Sequence, residues 1–226
     1  MNQLKISLTK NIPNPNIYVA MLPEYKGWIY LEEDAPSIKG SWNGIFGDPK
    51  LPLDLEIGCG NGFFFNQQVR AFSDRNLLGI EIKYKPLVQT VRRIKRDNLQ
   101  NGRGLRFNAH VIDQIFSHEE LNNVFIYFPD PWPRRSQQKN RLCTREFLIK
   151  LFLIQKPNGY LDFKTDSLDY FNFVLKEIPH SPYEVVRFSR DLHKSEWASE
   201  NFKTSFEKIF TQKGQPIYYT RLFKGS

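Results

Sequence analysis

The chain has 226 residues, 40% hydrophobic and 25% charged, with a formal net charge of +8. That length suits one large domain with its own core, and the composition excludes both a disordered chain and a membrane-spanning one, because no apolar run approaches a bilayer span. Two cysteines and four scattered histidines give neither a disulfide framework nor a metal-ligand spacing, while the positive charge suits a polyanionic partner.

In chain order, residues 1–45 hold I-P-N-P-N, W-I-Y and S-W-N-G and read as an irregular N-terminal segment. The start lacks a signal-peptide core, so a reducing, cytoplasmic setting is expected. Residues 46–226 read as a single domain. Leu53, Leu55 and Ile57 alternate as a strand that stops at Gly58, Gly60 and Gly62, and Phe63 to Phe72 then carry apolar residues at helical spacing. Asn76–Ile82 reads as a second strand. The next helix has Pro86 near its start, Leu87, Val91 and Ile94 inward, and Arg92, Arg93, Lys95 and Arg96 outward. A third strand is expected near Leu105–Val111, and V-F-I-Y-F at Val124–Phe128 is apolar throughout, as a central parallel strand would be. Thr144 is placed to cap a helix that Pro157-Asn158-Gly159 terminates. Gly159–Thr165 alternates as strand five, Ser167–Ile178 is helical, and Tyr183–Phe188 and Ile217–Phe223 close the series around a helix from Thr204 to Lys213. Such alternation predicts a Rossmann-like α/β fold: a mostly parallel, seven-stranded sheet with helices on both faces and a ligand beyond the strands' carboxyl ends.

The first turn, E-I-G-C-G-N-G, places Glu56 two residues before the first glycine. A dinucleotide turn needs a small residue where Phe63 stands, and a phosphate is repelled by a carboxylate, whereas a cationic ligand is drawn to one. An ordinary βα turn is the plainer alternative. The pattern resembles motif I of class I S-adenosylmethionine-dependent methyltransferases. Glu81, ending the second strand, sits where an acidic residue accepts from ribose hydroxyls. In F-P-D-P-W, Pro129 and Pro131 stiffen the backbone around Asp130 and prevent the strand from continuing, a preorganised loop at a strand end. Arg134, Arg135, Lys139, Arg141 and Arg145 follow. They form either a solvated charged loop or a phosphate-binding rim, and beside a site the rim is favoured.

Taken together and in this order, E-I-G-C-G-N-G, G-I-E-I, F-P-D-P-W, F-K-T-D and T-S-F-E-K resemble the bacterial tRNA (guanine-N7-)-methyltransferases from about Ile45 to Phe223. The resemblance implies methyl transfer from S-adenosylmethionine to N7 of guanosine 46 in the tRNA variable loop. It places cofactor contacts on Glu56, Gly58, Gly60, Glu81, Asn108 and Asp130, with Asp130 also acting in catalysis. Substrate contacts fall on Arg134, Asp166, Thr204, Ser205, Phe206 and Glu207, and the RNA rim on Arg135, Lys139 and Arg141. No metal, no membrane and no obligatory protein partner are expected, and the chain would act as a monomer or homodimer. The family usually carries aspartate at Asn108, lysine at Arg134 and a denser basic loop than the one Ser136, Gln137 and Gln138 interrupt. Thr204 to Glu207 also fits a capping box. The rival readings are an exocyclic-amine nucleic-acid methyltransferase, whose D/N/S-P-P-Y/F/W loop D-P-W-P loosely resembles, and an RNA-binding protein on the same fold that has lost its cofactor.

Overall fold

The computed structural model describes residues 16–225. Its strands are β1 (Ile29–Tyr30), β2 (Leu53–Ile57), β3 (Asn76–Ile80), β4 (Gly102–Leu105), β5 (Val124–Tyr127), β6 (Tyr160–Thr165), β7 (Glu184–Ser189) and β8 (Tyr218–Phe223). They form one sheet in the order β1-β4-β3-β2-β5-β6-β8-β7. Pairing is parallel from β1 through β6, and β8 runs antiparallel between β6 and β7. The helices are α1 (Ile17–Ala20), α2 (Ala35–Ile38), α3 (Phe63–Ala71), α4 (Tyr84–Arg96), α5 (Arg145–Ile154), α6 (Leu168–Glu177) and α7 (Ser205–Gln212). No helix among the described residues is long and apolar enough to cross a membrane.

The seven expected strands are β2 to β8. The eighth arises within the segment read as irregular, where Gly104 N and Arg106 N donate to Trp28 O and Tyr30 O, each at 2.9 Å. Two residues are too few to show a period, so this edge strand leaves no pattern in the sequence. Residues 1–15 of that segment lie outside the described part. The third strand also begins earlier than expected and ends at Leu105. Gly102-Arg103-Gly104 looks like a turn, yet a Cβ at Gly104 would lie 2.7 Å from Val91 and one at Gly102 3.1 Å from Ile94 and Val69. The glycines let α4 press against the strand.

Alternation along the strands separates two unlike faces. Leu55, Ile57, Val124, Ile126, Leu161, Phe163 and Leu222 are buried with Phe147, Leu148 and Leu151 of α5 and Phe171 and Val174 of α6. On the other face, cross-strand register aligns Glu56, Phe125, Asp162 and Arg221 in one row and Tyr127, Lys164 and Tyr219 in the next. Charges therefore lie inside the sheet's most buried strands, and the Asp162–Arg221 pair is tied there. Arg221 Nε and Nη2 each donate to Asp162 at 2.7 Å, and Tyr219 Oη donates to it at 2.9 Å. Thr144 and Ser167 accept from the amides of Phe147 and Tyr170 and start α5 and α6. The chain leaves β2 towards β3 and β4 and returns on its other side as β5. That reversal marks the place, beyond the carboxyl ends, where ligands bind in such sheets.

Candidate active site

Three left-handed glycines shape the turn after β2: Gly58 at φ +79°, Gly60 at +51° and Gly62 at +73°. Residues with a Cβ resist that region, so the conformation itself calls for glycine. Amides of Gly58 and Cys59 donate to Ile80 O at 2.8 and 3.1 Å and pin the turn to β3. A Cβ at Gly58 would meet no protein atom within 4 Å, so the space above the turn is open to a ligand. At Gly62 the constraint is internal, since a Cβ there would lie 2.5 Å from Thr90 Oγ1 on α4.

Glu56, next to last in β2, is 4% exposed. Its Oε2 has no hydrogen-bond partner among the described residues. Burial and the neighbouring Glu81 carboxylate push its pKa up to about 8, against the pull of the Lys164 ammonium. A buried carboxylate of this kind is costly until a cation meets it. Glu81 Oε2 accepts from Gly60 N at 3.3 Å and Oε1 from Lys83 N at 2.9 Å, which fixes that carboxylate against the glycine turn with lone pairs to spare. Asn108 lies past the end of β4, where an adenine contact is expected. Its Oδ1 already accepts from His110 N at 3.2 Å as a helix cap, and its amide N–H groups can donate to a base.

Past β5, Phe128 at φ +53° and Trp132 at +44° are non-glycine residues in the left-handed region, one on each side of Asp130. Such strain persists only where the surroundings enforce it. Phe128 N donates to Lys164 O at 2.8 Å as the chain leaves the sheet. The enforcement comes from Arg141, and here the rim assignment is corrected: Arg141 is 1% exposed. Its Nε donates to Pro131 O at 2.9 Å, its Nη2 pairs with Asp169, and its guanidinium lies over the rings of Tyr170 and Phe173. Arg141 holds the loop from beneath and cannot reach a phosphate. Arg134, Arg135 and Lys139 do stand exposed, the last two on a 3₁₀ helix at Arg135–Asn140. Arg93, on the outer face of α4, lies over Phe63 and donates to Asn61 O, so it braces the glycine turn.

Asp166 follows β6 directly, half-buried, with its pKa raised by burial. Adjacent strands bring it to the same edge as Asp130. Thr204 to Glu207 form a complete capping box on α7: Thr204 Oγ1 accepts from Glu207 N at 3.0 Å, and Glu207 Oε2 accepts from Thr204 N at 3.2 Å. Glu207 is wholly buried, so it supports the site from behind and faces no base directly. Phe206 is 58% exposed and packs with Phe128 and Phe210 beside the loop. Ser205 opens α7, and its side chain lies outside the described part. Two residues missed by sequence reasoning complete this half. Lys164 belongs to the F-K-T-D stretch but looked like any strand lysine, and His193 had no motif around it. No cluster of metal ligands occurs among the described residues.

A strand-one glycine turn over an unpartnered carboxylate, a second carboxylate ending the next strand and a stiff loop after the fourth principal strand define a class I S-adenosylmethionine-dependent methyltransferase. The comparisons agree. A family model described as "Putative methyltransferase" matches residues 50–220. A tRNA (guanine-N(7)-)-methyltransferase of Bdellovibrio bacteriovorus is 43% identical over 208 residues, 91% of this chain and all of that protein. One from Clostridium novyi is 36% identical across 80% of this chain and 85% of its own. Among solved structures, an rRNA methylase from Streptococcus thermophilus shares the fold at a TM-score of 0.52 with 11% identity, over 78% of this chain and 88% of that one. The chain belongs to the tRNA (guanine-N(7)-)-methyltransferase family.

Proposed function

We propose that this chain methylates N7 of guanosine in tRNA, at position 46 of the variable loop, using S-adenosylmethionine. The observation that carries the reading is the buried, unpartnered Glu56 carboxylate beneath the three-glycine turn. It asks for a cation, and the space above the neighbouring Gly58 is open. When bound, the cofactor supplies a methyl group on a positively charged sulfonium. Glu56 holds the charged end, Glu81 accepts from the ribose hydroxyls, and Asn108 donates to the adenine. Asp130 fixes the reacting end and favours the positive charge that grows on the base. Guanine N7 has its lone pair in the ring plane and no proton at neutral pH, so the site needs alignment and not a base. Asp166 accepts from guanine N1–H and N2–H, a pair of donors that other bases do not present. Arg134, Thr204 and Phe206 contact the substrate, and Arg135 and Lys139 meet the backbone. The chain works in the cytoplasm without an obligatory protein partner. Labelled methyl transfer into tRNA carrying guanosine 46, and none into the same tRNA with adenosine there, is the expected result. Equal labelling of both would move the target elsewhere.

Cofactor binding should take a proton off the enzyme. Glu56 is protonated in the free enzyme below its raised pKa of about 8, and the cofactor's positive end favours the ionised form. Affinity should therefore climb as pH rises towards 8 and level off above it. Calorimetry in buffers of different ionisation enthalpy reads the released proton directly. A binding enthalpy independent of buffer would remove Glu56 from the cofactor's charged end.

Binding of tRNA should weaken steeply with salt. Arg135→Ala should weaken all tRNAs about equally and flatten the logarithmic salt slope by roughly one unit or less. Arg141→Ala should leave that slope unchanged while lowering the melting temperature, since Arg141 is buried under the loop. The reverse pattern would restore Arg141 to the rim.

A further inference from the structure

Lys164 is the next-to-last residue of β6 and is 3% exposed. Its Nζ lies 4.1 Å from the centre of the Tyr127 ring, donates to Asn201 Oδ1, and stands 3.4 Å from Phe202 O and 3.6 Å from Glu207 Oε2. Glu207 is fully buried and shared: Asn201 Nδ2 donates to its Oε1, and His193 Nε2 lies 3.0 Å from the same oxygen. One ammonium thus ties together the 201–204 loop and the start of α7. Along the sheet it shares a face with Glu56, two strands away.

The groups around this pair can all be named. Glu56 faces Glu81, Cys59 and Lys164. Lys164 faces Glu207, Asp162 and Glu56, which favour its charge, while burial opposes it. Asp162 is already held by Arg221 and Tyr219. Burying a lysine is a poor route to stability, because apolar side chains of similar volume usually serve as well or better. The ammonium favours the ionised form of Glu56, against burial and the Glu81 carboxylate.

Resting on the cofactor role of Glu56, we infer that Lys164 is a positioning residue that couples the two halves of the site, holding the loop and α7 through Asn201 and Glu207 while its charge faces Glu56. Filling the cofactor site ionises Glu56 and adds a cation beside it, which changes the field at Lys164. Lys164 transmits that change to the carboxylate that caps α7. Cofactor and tRNA affinities are then linked, each raising the other by the same factor.

The test titrates the whole chain with an amine analogue of the cofactor that keeps the positive charge and transfers no methyl group, across pH, with and without tRNA. The proteins are the parent, Lys164→Met, Glu207→Gln and the double variant, which leaves no unpaired buried charge and so guards against a folding failure. Lys164→Met should move the pH midpoint of binding upward by about half a unit or more, and Glu207→Gln should move it downward. Saturating tRNA should tighten analogue binding about fivefold or more in the parent and leave it unchanged in the double variant. Midpoints that stay put or move together, or equal tightening in parent and double variant, would make Lys164 only a stabilising ion-pair partner. A parent that binds no analogue at all would sink the reading of the site itself, and this inference with it.

Discussion

Asp130→Ala is expected to slow methyl transfer by on the order of a hundredfold or more, with Asp130→Asn between it and the parent. Asparagine keeps the shape and an acceptor oxygen but loses the charge, and alanine loses both. The loop around Asp130 is strained at Phe128 and Trp132 and held through Pro131 O by Arg141, so the backbone that carries the exposed carboxylate is set by the fold. Interactions already in place when charge develops are the ones that lower a barrier. The measurement is single-turnover transfer with saturating tRNA and cofactor, on variants shown to be folded. Because N7 has no proton to lose, the parent's rate should stay level through neutral pH. A rate rising about tenfold per pH unit, abolished equally by Asn and Ala, would make Asp130 a base and return the exocyclic-amine reading.

The second large effect is on the cofactor. Glu56→Gln should weaken it by roughly ten- to a hundredfold, the worth of a charged hydrogen bond of about 1.5–3 kcal/mol. The same change should leave the free protein as stable as the parent in acid and more stable in base. The sign follows from the raised pKa: folded Glu56 keeps its proton up to about 8 whereas the unfolded carboxyl loses it near 4.5, so the parent loses stability as pH rises between those values. Glutamine cannot ionise and escapes that loss. Weaker binding with undiminished stability distinguishes a ligand-facing carboxylate from a structural one. If Glu56→Gln binds like the parent, the turn is an ordinary βα connection.

The fold was legible because its signals are local and repeated. An alternating run ended by glycine after Ile57 and a continuous apolar run ended by proline after Phe128 mark strands and their carboxyl ends together. Thr144 is a cap that the sequence states outright, and it forms. β1 was hidden, for two residues carry no period, and the start of β4 was hidden because its glycines show no alternation, their smallness serving the contact with α4. The candidate site could be named residue by residue wherever a motif was contiguous, and the fold gathers Glu56 with its glycines, Glu81 and Asp130 at the strands' carboxyl ends. The site was misread where burial decides. Arg141 follows Arg134, Arg135 and Lys139 and differs from them in having Asp169, Tyr170 and Phe173 beneath it, a circumstance created by α6. Glu207 matched a substrate motif and a capping box equally well, and only its complete burial separates the two. Lys164 and His193 meet at Glu207 from segments far apart in the chain, so no local pattern could join them.

Mass spectrometry of the nucleosides from tRNA incubated with the protein and S-adenosylmethionine tests the account most directly. It predicts 7-methylguanosine, formed only when both protein and cofactor are present and lost with Asp130→Ala. Methylation of an exocyclic amine of adenine or cytosine, or no methylated nucleoside from a protein that binds the cofactor, would contradict it.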